Sequence, residues 1–329
     1  MKGCALFLLI LTITFFLFLG YSLLPASSLP PGGVLAFQTE PLPDDDQLKV
    51  ITYNIGYASG EKNNEEPVTQ QEVETNLKNM VLSLLPMNAD IISLQEVDFR
   101  SSRTYDIDQL EYLAEELHLP YAAYVVTWNK RYVPWPYWPP SRHFGRIVSG
   151  QAILSRHPIT EQTLLRFEKP KANAFWYNWF YLERITQRIQ VEIEGKKATI
   201  WNIHLETFKE DSKREQTEIL AREVVNHPSD IVLVTGDFNS PSEFQEKSFS
   251  SSEQMKLQMQ KRNISTFTAT TQLHNAEKET PLYSSQSWKP TKKIDHIFFN
   301  DALKLEEVGN LKLTASDHLP IWASFSFTP

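Results

Sequence analysis

The sequence predicts an α/β layered domain, and two observations carry that prediction. Short β-rich runs bounded by turn formers, LKVITYNIG, ADIISLQEV, KATIWNIHLE and DIVLVTGDF, read as buried strands. Between them lie stretches with helical spacing and a start signal. Thr69 and Glu72 make a capping box ahead of Val73, Leu77, Met80, Val81 and Leu84, and Ser212 with Glu215 make a second ahead of Ile219, Leu220 and Val224. His227-Pro228 closes the second helix just before the strand that starts at Asp230. Helices that alternate with strands imply helices packed on sheet.

The chain divides into three parts. Ala5 to Gly20 carries no charge and continues through YSLLP, so residues 1–24 form a signal or membrane-anchor segment. Lys2 precedes it and no Lys or Arg follows until Lys49, an asymmetry that leaves the amino terminus in the cytosol and the rest outside the cytoplasm, or secreted if the segment is cleaved. Residues 25–46, rich in Pro, Ser, Gly and Asp, offer too little apolar surface to fold and read as a tether. Residues 47–329 then form one domain, with a polar run around Ser248 to Gln260 as a long loop or an exposed helix.

Composition narrows the function classes. Of 329 residues, 41% are hydrophobic and 22% charged, which is ample for a sizeable core. A net charge of -8 argues against holding nucleic acid by a broad basic surface. The one cysteine, Cys4, precedes the folded part, which therefore has neither a disulfide nor a thiolate metal site.

Strand after strand ends in a residue able to bind a cation or move a proton. Asn54 closes the first, Glu96 the second, His204 the third, and Asp237 with Asn239 the fourth; KKIDHIFFN adds Asp295, and ASDHLPIW adds Asp317 and His318. Polar groups embedded in buried strands are costly unless they are paired or coordinated. Their repetition at strand ends points to one shared pocket. Taken singly, each has a plainer reading as a turn residue, a strand end or a satisfied histidine.

The blocks TYNI, LQEV, SGQAILSR, NIHLE, GDFNSPS, IDHIFF and SDHLPI, in that order, resemble the endonuclease/exonuclease/phosphatase superfamily, which includes deoxyribonucleases and neutral sphingomyelinases. The resemblance implies a four-layer α-β-β-α sandwich of two packed mixed sheets flanked by helices. It also implies a metal-dependent phosphoesterase. Asn54, Glu96 and Asp317 would hold Mg2+ or Mn2+, a hard cation that takes oxygen ligands. His204, Asp237, Asn239, Asp295 and His318 would be catalytic, with His318, oriented by Asp295, as general base, or Asp237 as the base in its place.

Two aromatic stretches bear on the substrate: WNKRYVPWPYWPPSRHFGR from Trp128, expected as a stiff proline-rich loop, and FWYNWFY from Phe175. They either pack the loop onto the sheet or meet a lipid interface. The expected function is a phosphodiester hydrolase at a membrane surface outside the cytoplasm, its partners the membrane and a lipid head group. A secreted or surface nuclease acting on DNA or RNA is the alternative within the family. A catalytically inactive binding protein on the same fold is the alternative outside it.

Overall fold

A computed structural model describes residues 2–43, 47–62, 66–278 and 281–328. In chain order its first half comprises α1 (Lys2–Leu23), β1 (Gly32–Ala36), β2 (Leu48–Asn54), α2 (Gln70–Leu84), β3 (Ile91–Asp98), α3 (Gln109–Glu116), β4 (Tyr121–Val133) and β5 (Gly145–Ser155). The second half comprises β6 (Ile159–Arg166), α4 (Phe175–Phe180), β7 (Ile185–Ile193), β8 (Lys196–His204), α5 (Glu210–Asn226), β9 (Ile231–Asp237), β10 (Glu243–Phe244), α6 (Ser251–Thr271), β11 (His274–Asn275), β12 (Lys292–Lys293), β13 (Asp295–Phe299), β14 (Leu303–Asn310) and β15 (Ile321–Phe327). A 7-stranded sheet runs β1-β4-β5-β3-β2-β15-β14 and a 6-stranded sheet runs β11-β13-β9-β8-β7-β6.

Alternation along the strands builds the layers. In β2, Val50 belongs to the core between the sheets, with Ile91, Ile153, Ile200, Leu233 and Ile297. Its neighbour Ile51 faces the opposite way, into a cluster with Val73, Leu77 and Met80 of α2. In β9, Leu233 joins the central core, while Val232 and Val234 join Leu220 and Val224 of α5 and Phe267 of α6. The arrangement is the expected four-layer sandwich.

Several local expectations change. α2 opens on the Thr69–Glu72 capping box, but α5 starts at Glu210, ahead of the Ser212 box, with no side-chain cap on Lys209. An anchor inside the fold accounts for the earlier start: buried Lys213 in the first turn donates from Nζ to the carbonyl of Asn239, 2.7 Å away, and pairs with Glu210. The run after Ser248 is helical, with Ser250 and Glu253 forming a reciprocal cap for α6. Trp128 to Val133 belong to β4 rather than to the proline-rich loop.

The segment read as a tether departs most from expectation. Gly32 to Ala36 pair antiparallel with Val125 to Tyr121 on the free edge of β4, extended by Val126 N–H to the carbonyl of Pro31 and Phe37 N–H to that of Pro120. Ladder bonds need only backbone, and an unpaired strand edge supplies donors and acceptors whatever the side chains of the added strand. Asp44 to Asp46 lie outside the described residues.

α1 is exposed from Cys4 to Phe18, and Cys4–Leu23 is long and apolar enough to cross a membrane, as a retained anchor or as a signal sequence. Its carboxyl end is fastened to β4. Arg131 N–H donates to the carbonyl of Leu24, and Asn129 Oδ1 accepts from the amides of Ala26 and Ser27 at 2.7 and 3.0 Å. Phe18 packs edge-on against Tyr132, and the Arg131 guanidinium lies over the ring of Tyr21.

Candidate active site

Two parallel strand pairs bring the polar strand ends to one rim. β2 beside β3 sets Asn54 opposite Gln95, and β8 beside β9 sets His204 opposite Asp237. β13 runs antiparallel to β9, so its first residue, Asp295, also lies opposite Asp237. The sheets are locked together beneath that rim by buried hydrogen bonds. Gln95 Nε2 donates to Asn202 Oδ1 at 2.7 Å, Asn202 Nδ2 to the carbonyls of Leu94 and Ala152, and Thr235 Oγ1 to Ser93 Oγ at 2.7 Å.

Two backbone features aim the side chains. Glu96 is a β-bulge residue with φ 55°, where the register of β3 against β5 shifts, and the bulge turns its carboxylate toward the site. Gly236, with φ 135°, lets β9 approach β8: a Cβ there would stand 2.1 Å from the carbonyl oxygen of Ile203. This contact explains why a glycine precedes Asp237.

The side chains converge around Asp237. Asn54 Nδ2 donates to Glu96 Oε1 at 3.1 Å and to Asp237 Oδ2 at 3.2 Å. His204 Nε2 lies 3.6 Å from Glu96 Oε1 and 3.7 Å from Asp237 Oδ2, and His318 Nε2 lies 3.9 Å from the same Asp237 oxygen. On its other side His318 Nδ1 meets Asp295 Oδ2 at 2.7 Å. A carboxylate only accepts, so Nδ1 carries the hydrogen and Nε2 is left to face the site. Asn239 holds Asp237 through its backbone N–H at 2.7 Å, while its Nδ2 bonds the carbonyl of Leu205. Asp317 stands half-buried at the rim, beside Gly56 and Ser316.

Burial and the crowding of like charges set the protonation of these groups. Burial first, then the nearby Asp317, raises Glu96 to about 7, against the opposing pull of the Asn54 amide and His318. Burial and then Asp295 raise Asp237 to about 6. Burial also acts against a charged His318, but Asp295, Asp317 and Asp237 together hold its pKa well above the ordinary histidine value. His204 is pushed well below that value by burial, Arg184 and His318, so it is neutral at pH 7.

These groups fit a divalent cation. Carboxylates that burial, and then mutual repulsion, keep partly protonated gain from a shared positive charge, and all are hard oxygen donors. Ligating atoms of Asp237, Asp295 and His318 lie within 4.8 Å of one another, although the His318 bond already occupies one oxygen of Asp295. The amide oxygen of Asn54 accepts from Gly56 N–H at 3.1 Å, and its NH2 bridges the Glu96 and Asp237 carboxylates.

Sequence reasoning missed two residues here. Arg184 is buried, bonds Thr207 Oγ1 at 3.0 Å, lies 3.7 Å from Glu206, and leaves Nη1 without a hydrogen-bond partner among the described residues. Nothing marked it, because it stands just before a strand whose residues form no cluster in sequence. Ser316 bonds the carbonyl of Asn54 at 2.7 Å and accepts from His318 N–H at 3.2 Å, tying the last loop to the first strand. Its place beside Asp317 and His318 was the one available signal.

No curated protein matches the sequence. Solved structures share the fold. One is an endonuclease/exonuclease/phosphatase from Beutenbergia cavernae DSM 12333, at TM-score 0.58 and 19% identity, over 86% of this chain and 72% of that one. Another is the human Nocturnin catalytic domain with bound sulfate, at 0.57 and 17%, over 92% and 100%. A third is a mannosyl-6-phosphatase from Bacteroides thetaiotaomicron VPI-5482, at 0.58 and 16%, over 85% and 100%. The profile of the Endonuclease/Exonuclease/phosphatase family matches residues 51–318, which takes in every residue of the rim from Asn54 to His318. With its polar strand ends gathered on that sandwich, the chain belongs to the Endonuclease/Exonuclease/phosphatase family of hydrolytic phosphoesterases.

Proposed function

We propose that the chain is a divalent-metal-dependent phosphodiester hydrolase that acts at a membrane surface outside the cytoplasm, with a phospholipid head-group phosphate as its substrate. The observation that carries the catalytic part is the His318–Asp295 pair, whose Nε2 is directed at Asp237. Asp295 fixes the ring and its tautomer, so Nε2 can exchange a proton with a water at the rim. Asp237, itself held by Asn239 and Asn54, is the second group able to take that proton. Neutral His204 is placed to hydrogen-bond a phosphate oxygen or the leaving oxygen. Glu96, with Asp317 and Asn54, would hold Mg2+ or Mn2+, which when bound supplies positive charge to polarise the phosphoryl group. The location rests on the apolar α1 and on the lack of Lys or Arg between Lys2 and Lys49.

The test is hydrolysis by the full chain of a water-soluble phosphodiester, a phosphomonoester, DNA and phosphatidylcholine vesicles, with Mg2+ or with chelator. Diester hydrolysis should vanish with chelator and fall at least about a hundredfold in His318→Ala. Glu96→Gln should raise the Mg2+ concentration needed for half-maximal rate by about tenfold or more. Equal rates for parent and His318→Ala on every substrate would defeat the proposal.

A further inference from the structure

An apolar cavity of about 410 Å3 opens between the β4–β5 hairpin and α4. Trp128, Val133, Trp135, Tyr177, Phe180 and Leu182 line it, and Phe208 stands at its mouth, 67% exposed. Beyond it Trp138 is 80% exposed and Phe175 71%, with Trp176 and Trp179 also open to solvent. Exposed apolar surface on this scale marks an interaction face.

The fold says what covers this face. Asn129 and Arg131, which hold the carboxyl end of α1, lie on β4 between Trp128 and Val133, two walls of the cavity. A bilayer crossed by α1 would therefore meet the domain at this hairpin. Trp and Tyr favour the membrane interface, and Lys130, Arg131 and Arg142 lie in the same hairpin, where they can meet lipid phosphate.

The cavity also connects to the chemistry. Tyr181 lines it and donates its hydroxyl to Glu206 at 2.8 Å, and the same carboxylate neighbours Arg184. His204 and Phe208 bracket Glu206, so one five-residue segment runs from the catalytic rim to the cavity mouth. We propose that this cavity receives an acyl chain of a membrane phospholipid whose head-group phosphate is delivered to the His204–Asp237–His318 rim. The inference rests on the phosphodiesterase reading and deepens it by naming a site for the apolar part of the substrate.

All 8 tryptophans lie outside α1, so tryptophan fluorescence reports the domain alone. The full chain is reconstituted in phosphatidylcholine vesicles with or without acyl-brominated phosphatidylcholine. Bromine should quench the parent, and Leu182→Glu, which sets a charge in the cavity wall, should lose at least half of that quenching and about tenfold in hydrolysis of the vesicle lipid. Trp135→Ser, at the more exposed rim, should lose both in the same direction and serves if Leu182→Glu does not fold. Quenching without hydrolysis of any phosphodiester keeps the cavity assignment and sinks the catalytic reading. Hydrolysis of a soluble diester with no quenching, or with quenching equal in parent and both variants, overturns the cavity assignment and leaves the catalytic reading standing. A lipid-free dimer that Leu182→Glu converts to monomer would assign the face to a second copy and overturn it as well.

Discussion

His318 and Asp295 come from different elements and meet through a 2.7 Å bond between Nδ1 and Oδ2, with both side chains almost wholly buried. The other oxygen of Asp295 has no hydrogen-bond partner among the described residues, so the carboxylate is committed to the histidine. A buried carboxylate with one partner is costly unless it serves that partner, and here it decides which ring nitrogen faces the rim.

Asp295→Asn should separate this role from simple packing. The amide has the same shape but can present an N–H to Nδ1, which would move the ring hydrogen to Nε2 and block it as an acceptor. The expected result is a fall in kcat of about a hundredfold or more on a soluble phosphodiester, with KM within about threefold. An unchanged kcat would remove Asp295 from the mechanism.

Gly236→Ala tests the close approach of β8 and β9 that sets His204 opposite Asp237. The new Cβ would meet only backbone, the Ile203 carbonyl oxygen at 2.1 Å and its nitrogen at 2.8 Å, so no side chain can swing away. Strain and overpacking together should cost about 3 kcal/mol or more. Gly195→Ala, with φ 70° but nothing within 4 Å, is the control and should cost only about 1 kcal/mol. Denaturant midpoints of the full chain in detergent give both values, and equal losses would show that the contact is unimportant.

The contrast between these sites and the rest of the fold shows what a sequence exposes. Asn54, His204 and Asp237 were legible because apolar strand runs end abruptly in them, and burial makes such an ending expensive without a purpose. The bulge at Glu96 was not, since a positive φ at a glutamate leaves no compositional trace. Nor was the Gln95–Asn202 bond, in which each residue looks like an ordinary mid-strand polar until the sheets face each other. β1 was hidden because its pairing uses backbone alone, and the tie between α1 and β4 because it joins segments about a hundred residues apart through carbonyls and one asparagine. Long-range partners cannot be read from local pattern.

Lys169 offers a test of the wall that α4 contributes to the apolar cavity. Its Nζ donates to the carbonyls of Asn178 and Tyr181, 2.7 Å each, and so fastens the carboxyl end of α4. Burial, then Lys130 and Arg166, lowers its pKa to about 8. The unfolded value is about 10.4, so between about pH 8 and 10.4 the unfolded chain binds more protons and this group makes stability rise with pH. Below about 8 the ammonium is charged in both states and its penalty is constant. In Lys169→Met the group is gone, so the Tm difference between parent and variant should shift in favour of the parent from pH 8 to 10 and stay flat from 6 to 7.5. A difference that is flat across the whole range would mean that Lys169 is solvated, and that α4 is held in place by its rings rather than by this cation.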